Sequence, residues 1–394
     1  MSYFIFYYPL FMSITWIIGS IIFHFTIEKK TLSNNLSQFI TIIVPCYNEE
    51  NTIEKTIFEL DKLDYENYEI IAINDGSKDN TETILNNLSK TYKRLRVIQL
   101  QKNAGKANAL YLGLLASVSE IIVCVDADAY LDKNALDYLV PHFEDKMVGA
   151  VTGNPRVRNR SNILSKIQLC EFSSIIGQIK RTQSILGRIM TVSGVVVAFR
   201  KRALLDCGFW DRDIITEDIG VTWKLQRNLW NVKFEPRAIC WMLVPETLKG
   251  LWEQRLRWAQ GGLEVLIRHW NIIFDFRQKR LILILLEQVS SVIWAFSWAI
   301  TMIILIGDFI VLGKGINFLQ AVYLVIIALI QFFIAMLIDS KYDNKLKNYY
   351  IWSLWYPVIY WYMNAIIIIF ALPKALFSKK GTFAVWESPD RGLN

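Results

Sequence analysis

The sequence predicts an α/β domain with a mostly parallel β-sheet, flanked by α-helical membrane-spanning segments. Between residues 39 and 125, short and nearly continuous apolar runs alternate with segments of helical character. This alternation is typical of a parallel sheet that is covered by helices on both faces. Before and after the central region, apolar runs with almost no charge are long enough to cross a bilayer.

The elements of the α/β domain follow from the hydrophobic pattern and the turn residues. Strands are predicted over residues 39–44, 68–73, 96–100, 120–125, 148–155 and 191–199. Helices are predicted over residues 52–63, 77–92, 105–117 and 160–187, and after Ile219. Ligands of parallel sheets bind beyond the carboxyl ends of the strands, so polar residues that directly follow a strand are candidates for a binding site.

Four apolar runs predict membrane spans, at residues 3–27, 281–307, 318–338 and 349–372. Three of them contain no Lys, Arg, Asp or Glu, and the run at 281–307 contains only Glu287. The first run lacks a basic n-region and a small-residue cleavage site, so it is predicted to be an anchor and not a signal peptide. Basic residues follow this anchor directly, which places the central domain in the cytoplasm.

The chain is expected to have five parts. They are an anchor (1–30), a cytoplasmic catalytic domain (31–245), interfacial amphipathic helices (246–280), about three spans (281–373) and a tail (374–394). Tryptophans among basic residues predict that residues 246–275 lie along the membrane surface, in contact with lipids. Three further spans would leave the tail outside, whereas its basic residues favour the inside. A re-entrant or interfacial segment near 281–300 or after 373 would reconcile the two. These basic residues are Lys374, Lys379, Lys380 and Arg391.

Composition excludes several classes of site. The 394 residues carry a formal net charge of +7 and are 53% hydrophobic. The five cysteines form no Cys-x-x-Cys pair and the three histidines are scattered, which disfavours a zinc site and histidine-based catalysis. The basic excess is assigned to anionic headgroups and a phosphate-bearing substrate. Nothing in the sequence indicates nucleic-acid binding.

Asp126-Ala127-Asp128 directly follows a predicted strand. Carboxylate oxygens are ligands that Mg²⁺ and Mn²⁺ prefer, usually together with phosphate oxygens of the substrate. Asp126 and Asp128 are therefore candidate metal ligands. The alternative is a turn with solvated acids.

Other strand ends predict a nucleotide site. Asp75 can accept hydrogen bonds from a base or ribose, and Gly76 allows a tight turn beside a ligand. Lys106 opens a helix, where ammonium and amide donors can meet a phosphate, and Tyr47 offers an aromatic face. The alternatives are a plain turn at Asp75, a solvated side chain for Lys106, and a helix cap for the segment that contains Tyr47. The candidate nucleotide-binding residues are Pro45, Tyr47, Glu49, Asp75, Lys106 and Asp126.

Thr216-Glu217-Asp218 supplies the candidate catalytic residues, Glu217 and Asp218. Sugar transfer needs a base that takes a proton from the acceptor hydroxyl, and Asp218 is the candidate. Neighbouring carboxylates in a closed site are expected to raise its pKa. The alternative is an acid at a helix N-terminus. No second acid pair suits a covalent glycosyl intermediate, so a single inverting displacement is the simpler mechanism.

A basic and aromatic cluster lies in the segment predicted to be interfacial. An indole can stack on a sugar, and arginine can bind a diphosphate in a bidentate way. The alternative is a surface helix with snorkelling arginines. The candidate residues for acceptor and diphosphate binding are Gln254, Arg255, Arg257 and Trp258.

The order of these motifs resembles that of the processive family 2 glycosyltransferases, the cellulose, chitin and hyaluronan synthases and their relatives. Longer strings, which cover nearly the whole chain, look like the poly-β-1,6-N-acetyl-D-glucosamine synthases of bacterial biofilm matrix. These strings are V-T-G-N-P-R-V-R-N-R-S, I-T-E-D-I-G-V-T-W-K-L, C-W-M-L-V-P-E-T-L, R-W-A-Q-G-G and W-E-S-P-D-R-G.

This resemblance implies a Rossmann-like GT-A fold at the bacterial cell membrane. It implies UDP-N-acetylglucosamine as donor, a growing β-1,6-linked polysaccharide, Mg²⁺ or Mn²⁺ as cofactor, and a small two-span membrane subunit as partner. Carried over by position, it implies that Asp75 holds the nucleotide and that Asp126 and Asp128 hold the uridine diphosphate and metal. Asp218 would be the base, and the Gln254–Trp258 cluster would bind diphosphate and acceptor.

Other interpretations remain open. They are a polymerase of the hyaluronan, chitin or cellulose type, a transferase that adds one sugar to a lipid, a silent scaffold, and a transporter. The basic and aromatic cluster and the C-terminal spans argue against the single-sugar transferase. The intact Asp126, Asp128 and Asp218 argue against the scaffold, and the nearly uncharged spans argue against a transporter.

Overall fold

The computed structural model describes residues 2–30, 38–313, 319–378 and 381. Its contacts divide the chain into two compact units. The sheet unit comprises residues 28–159 and 187–251, and the helical unit comprises residues 1–27, 160–186 and 252–378. The expectations for Lys379, Lys380, Arg391 and the string W-E-S-P-D-R-G fall outside the described residues.

A mixed β-sheet forms the core of the sheet unit. Its strands are β1 (Ile40–Cys46), β2 (Tyr68–Asp75), β3 (Leu95–Leu100), β4 (Ile121–Val125), β5 (Tyr130–Leu131), β6 (Val148–Val157), β7 (Val196–Arg200) and β8 (Asn231–Met242). Their order in the sheet is β3-β2-β1-β4-β7-β6-β8-β5. The pairs β1–β2, β1–β4, β2–β3 and β6–β8 are parallel, whereas β7 and β5 run antiparallel to their neighbours. The predicted mostly parallel α/β fold is confirmed.

Helices connect these strands. They are α2 (Ile53–Leu60), α3 (Thr81–Thr91), α4 (Lys106–Ala116), α5 (Ala135–Leu139), α8 (Lys201–Cys207) and α9 (Glu217–Arg227). Helices are numbered in chain order, and the remaining numbers belong to the helical unit. Strands β1 and β4 are buried along their whole length. Side chains on both faces of these strands are therefore apolar, which is why they appear in the sequence as continuous apolar runs.

Strand β8 has no counterpart among the predicted strands. Its apolar pattern is interrupted by Lys233, Glu235, Pro236 and Arg237. Glu235 is nevertheless buried, because Arg237 donates to it at 2.8 Å and His142 Nε2 lies 2.9 Å from its carboxylate. Burial raises the pKa of Glu235, but these two partners outweigh burial and the net direction is downward. Charge compensation by the nearby Arg237 and the distant His142 permits this strand, and a local pattern cannot reveal the contact with His142.

Among the described residues, the helical unit contains four helices that are long and apolar enough to cross a membrane. They cover Tyr3–Thr26, Phe276–Leu312, Leu319–Asp339 and Tyr356–Leu376. The helices of this unit are α1 (Ser2–Thr26), α6 (Ile163–Glu171), α7 (Ile179–Ile185), α10 (Leu248–His269, of which residues 252–269 belong here), α11 (Lys279–Leu312), α12 (Leu319–Asp339) and α13 (Trp361–Leu376). The predicted run at 349–372 begins later than expected, because residues Leu346–Leu354 form a 3₁₀ helix.

The predicted helix at 160–187 is present, but it groups with the apolar helices. A π-helical segment, Phe172–Gln178, joins α6 to α7 without a break. Polar side chains of α7 and this segment are buried against other helices of the unit: Gln178 donates to Ser20 at 3.0 Å and Thr182 to the carbonyl of Trp16 at 3.0 Å. This grouping differs from the predicted division, which placed residues 31–245 in one domain. An amphipathic pattern shows that one face is buried, but not which partner covers it.

A buried ion pair fixes α7 to the end of α12. Arg181 Nη2 lies 2.7 Å from Asp339 Oδ1, and the two side chains are only 1% and 0% exposed. Removing one partner of such a pair leaves a buried charge without compensation, which costs about 3–5 kcal/mol.

We therefore expect Asp339→Asn to lower the thermal unfolding midpoint of the purified protein by several degrees. Arg202→Gln serves as the control, since its pair with Asp206 is exposed and such pairs contribute about 1 kcal/mol or less. Equal midpoints for wild type and Asp339→Asn, measured in the same detergent, would contradict the stabilising role of the pair.

Candidate active site

The loops that follow β1 and β2 are joined by hydrogen bonds. The backbone N–H of Asn48 donates to Ser77 Oγ at 2.9 Å, and that of Glu49 donates to Thr81 Oγ1 at 2.7 Å. The Glu49 carboxylate accepts from Thr52 at 2.6 Å and is buried. These bonds hold the two strand ends together as one edge. Of the predicted nucleotide residues here, Pro45 is buried within β1 and Tyr47 is half-buried just beyond it.

Asp75, the last residue of β2, is fully buried and holds the loop before α4. Its carboxylate accepts from the backbone N–H of Ala104 at 3.0 Å and of Gly105 at 2.8 Å. Burial raises the pKa of Asp75, although the two hydrogen bonds oppose this effect. Gly76 has a φ of +67°, and a Cβ there would lie 2.7 Å from the backbone of this same loop. Asp75 and Gly76 thus set the position at which α4 begins.

Lys106, the first residue of α4, lies between carboxylates from two other elements. Its Nζ is 2.6 Å from Asp126 Oδ1, beyond β4, and 3.1 Å from Glu217 Oε1, in α9. Burial on its own would lower the pKa of Lys106, but the Asp126 and Glu217 carboxylates outweigh it and the net direction is upward. Lys106 is therefore a permanent cation at this position, and it allows acidic groups from separate parts of the chain to converge.

Asp128 is buried beside Asp126. Burial, followed by the negative charge of Asp126, raises the pKa of Asp128 to about 7. Carboxylates that repel one another in a buried site are stabilised when a cation is placed beside them. The oxygen donors of this pair fit Mg²⁺ or Mn²⁺, which commonly take one or two carboxylates together with substrate phosphates. No group of three or more metal-ligating side chains occurs in the described part of the chain.

Asp218 lies in the first turn of α9, half-buried, and its Oδ1 accepts from the backbone N–H of Ile219 at 2.9 Å. Helix α9 is fixed to the segment before β7, since Val192 N–H donates to Thr222 Oγ1 and Trp223 Nε1 donates to the carbonyl of Met190. The sheet unit thus brings together Asp75, Lys106, Asp126, Asp128, Glu217 and Asp218 at one edge.

The sequence-based prediction missed Gly194. Its carbonyl accepts from Lys106 Nζ at 3.4 Å, and a Cβ at this position would lie 3.3 Å from Asp218 Oδ2. The glycine therefore leaves space beside the candidate base. A glycine at the start of a predicted strand was the only signal for it in the sequence, and that signal is weak.

The predicted acceptor cluster lies on α10, in the helical unit. Gln254 and Arg255 are buried, whereas Arg257 and Trp258 are half-buried. Arg255 Nη2 lies 2.7 Å from Glu171 Oε2, and the Arg255 guanidinium lies 4.3 Å from the centre of the Trp258 ring. Burial on its own would lower the pKa of Arg255, but Glu171 outweighs it and the net direction is upward. Glu171, at the end of α6, was not among the predicted residues, and no motif marks it.

Comparisons with known proteins identify relatives of this chain. Residues 41–208 match the glycosyl transferase family 2. The poly-β-1,6-N-acetyl-D-glucosamine synthase of Staphylococcus epidermidis is 44% identical over 99% of this chain and 98% of its own length. The synthase of that name from Staphylococcus aureus is also 44% identical, over 99% of this chain and 98% of its own length.

A solved structure shows the same fold. A mannosyltransferase from Pyrobaculum calidifontis, in complex with GDP-mannose and Mn²⁺, superposes with a TM-score of 0.69 at 19% identity. The match covers 94% of this chain and 96% of that one. The α/β unit therefore has the GT-A fold, and the four apolar helices are those of a membrane protein. The extent and level of identity show that this chain belongs to the poly-β-1,6-N-acetyl-D-glucosamine synthases, a group of glycosyltransferases of family 2.

Proposed function

We propose that this protein polymerises N-acetylglucosamine from UDP-N-acetylglucosamine into a β-1,6-linked polysaccharide, by repeated inverting transfer at the bacterial cell membrane. The observation that carries the proposal is 44% identity over 99% of the chain to the staphylococcal synthases. The convergence of Lys106, Asp126 and Glu217 at the carboxyl edge of a GT-A sheet supports it. The catalytic unit faces the cytoplasm, and the product is exported to the biofilm matrix as it grows.

The donor binds at the carboxyl edge of the sheet. Tyr47 and the loop held by Asp75 lie at the ends of the two neighbouring strands, where the uridine would fit. Lys106 supplies a buried positive charge for the diphosphate, and it can exchange its contact with Asp126 for contacts with phosphate oxygens.

Asp126 and Asp128 would hold Mg²⁺ or Mn²⁺. The cation would neutralise the negative charge that develops on the departing diphosphate. Burial and the negative charge of Asp126 raise the pKa of Asp128, and this supports the assignment, because a divalent cation would compensate the buried carboxylates.

Transfer is a single displacement. The acceptor hydroxyl oxygen attacks the anomeric carbon, the bond from that carbon to the diphosphate oxygen breaks, and UDP leaves with the bonding electrons. Asp218 takes the proton of the attacking hydroxyl, and the space beside Gly194 leaves room for the reacting groups. Glu217 keeps Lys106 in place through their 3.1 Å ion pair.

The cluster on α10 serves the acceptor and the diphosphate. Trp258 offers a flat apolar face on which a sugar can stack, and Arg257 and Gln254 supply polar groups on the same helix. A small two-span membrane subunit and the surrounding lipids are the remaining partners of the proposal.

The decisive test incubates membranes that contain the protein with radiolabelled UDP-sugars, one at a time, and sizes the products. A long polymer from UDP-N-acetylglucosamine that yields to a β-1,6-specific hydrolase is expected. A polymer from another UDP-sugar would favour a hyaluronan, chitin or cellulose type of synthase. A single sugar on a lipid would favour a non-processive transferase.

Asp218→Asn should abolish polymerisation while UDP binding survives. Asparagine keeps the shape of the side chain but accepts no proton, so the chemical step should fall by roughly a hundredfold or more. The rate of UDP release from UDP-N-acetylglucosamine and the UDP affinity are measured on the same preparation. Asp206→Asn, at an exposed site on α8, is the matched control. Wild-type turnover by Asp218→Asn would show that Asp218 is not the base.

Asp128→Ala should weaken UDP binding mainly when Mg²⁺ or Mn²⁺ is present, because the coupling runs through the cation. Calorimetry with and without the metal measures this difference, and Asp64→Ala, at an exposed position, is the control. An equal loss of affinity under both conditions would indicate a purely structural aspartate.

Trp258→Ala should spare UDP binding and some hydrolysis of the donor while it sharply lowers polymer yield. Hydrolysis by water needs no stacking platform, whereas each extension step loses about 1 kcal/mol or more of stacking. UDP affinity, donor hydrolysis and polymer yield are measured together. A parallel fall in all three would indicate that Trp258 only stabilises the fold, and an unchanged polymer yield would also contradict the acceptor role.

A further inference from the structure

Arg255 is enclosed by groups from three segments of the helical unit. Glu171, at the junction between α6 and the π-helical segment, accepts from Arg255 Nη2 at 2.7 Å. Trp258, one turn further along α10, lies under the guanidinium with 4.3 Å between the guanidinium carbon and the ring centre. The hydroxyl of Tyr360, just before α13, is buried and interacts electrostatically with the Arg255 guanidinium. Arg255 is 7% exposed and Glu171 is 3% exposed.

This enclosure decides what Arg255 can do. A guanidinium that is already paired with a buried carboxylate has its charge compensated, and a diphosphate would have to displace Glu171 to bind it. Glu171 pairs with an N–H group at the edge of the planar guanidinium, which leaves the guanidinium free to lie 4.3 Å from the centre of the Trp258 ring. Residues three apart on a helix are neighbours on its surface, so this stack is built into α10.

Glu171 therefore affects the orientation of the Trp258 ring through Arg255. Glu171 orients the guanidinium, and the guanidinium restricts the rotamers that the Trp258 ring can adopt. Arg257, by contrast, is half-buried and more exposed than Arg255, so it is the arginine of the cluster that is more accessible to a ligand.

We infer that Glu171 and Arg255 are a positioning pair, which holds the Trp258 ring in the orientation that an acceptor sugar needs. The inference rests on the proposed function, since the acceptor role of Trp258 belongs to that proposal. It assigns Arg255 a task different from diphosphate binding, and it adds Glu171 to the residues on which chain extension depends.

The test compares wild type with Glu171→Gln, Arg255→Gln and the double variant. The thermal unfolding midpoint, the KM for UDP-N-acetylglucosamine in donor hydrolysis, and the ratio of polymer to hydrolysis are measured for each. The single variants should be less stable, because each leaves one buried charge without its partner. The double variant removes both charges and should recover much of the midpoint.

In the double variant, the thermal unfolding midpoint should recover whereas the polymer-to-hydrolysis ratio should not. The polymer-to-hydrolysis ratio should stay about tenfold below wild type in all three variants, because each loses the ordered stack of guanidinium on indole, while the KM for the donor stays unchanged. A ratio that recovers together with the midpoint would overturn the positioning role and leave a purely structural pair.

The pair Arg181–Asp339 is a matched control. It is also buried, and it also joins the 163–185 helix to another helix of the unit. The double variant Arg181→Gln/Asp339→Asn should recover stability and keep the wild-type ratio of polymer to hydrolysis. A tenfold fall of the ratio in this control would show that any buried pair on this helix affects extension, and would overturn the specific assignment.

Trp258 fluorescence supplies a readout that does not depend on activity. The emission of Trp258 is obtained by subtracting the spectrum of Trp258→Phe from that of the wild type. The same subtraction is made for the two proteins that also carry Glu171→Gln. Acrylamide should quench the Trp258 emission more strongly in the presence of Glu171→Gln. Unchanged quenching would overturn the inference. If the wild-type protein made no polymer from UDP-N-acetylglucosamine, the proposed function would fail and this assignment with it. If wild type polymerises and the Glu171→Gln ratio is normal, only the positioning role fails.

Discussion

The ammonium group of Lys106 is the interaction on which the candidate active site depends. Asp126 comes from the end of β4 and Glu217 from the start of α9, and both carboxylates lie within 3.1 Å of this one cation. Without it, the acidic groups at this edge would repel one another in a buried site. The Lys106 ammonium group lets the carboxylates lie close together, and a diphosphate can also bind to it.

The position of Lys106 is in turn set by the strand ends. Asp75 accepts both hydrogen bonds from residues 104 and 105, and Gly76 lets the chain pass against the same loop without a side chain in the way. The charge that organises the site is therefore held by backbone contacts at the carboxyl edge of a parallel sheet. Small changes in that loop would move the ammonium relative to Asp126 and Glu217.

Buried ion pairs play a comparable part in the helical unit. Apolar helices pack without strong directional preference, whereas a buried pair such as Arg181–Asp339 is favourable at one register only. The continuous helix from 163 to 185 carries two such contacts, with Asp339 and with Arg255. Its π-helical segment lies between them and changes the angular spacing of the side chains, so that residues on one helix can meet partners on different helices.

The sequence by itself determined the strands of the parallel half of the sheet, the four apolar helices and the acidic motifs at the strand ends. These features depend on local hydrophobic period, on length without charge, and on residue types that follow a strand. Asp126 and Lys106 were found in this way, because each stands directly at the end of a strand or the start of a helix. Their roles in binding and catalysis remain predictions.

Only the tertiary structure decided the contacts between residues distant in the chain. Strand β8 carries charges that are tolerated because the neighbouring Arg237 and the distant His142 compensate Glu235, and the pattern of the strand alone cannot show the contact with His142. Glu171 is separated by 84 positions from Arg255 and carries no motif, so its ion pair could not be foreseen. Local periodicity specifies which face of an element is buried, whereas the partner on that face is set by long-range packing and charge compensation, and these arise only when the chain has folded.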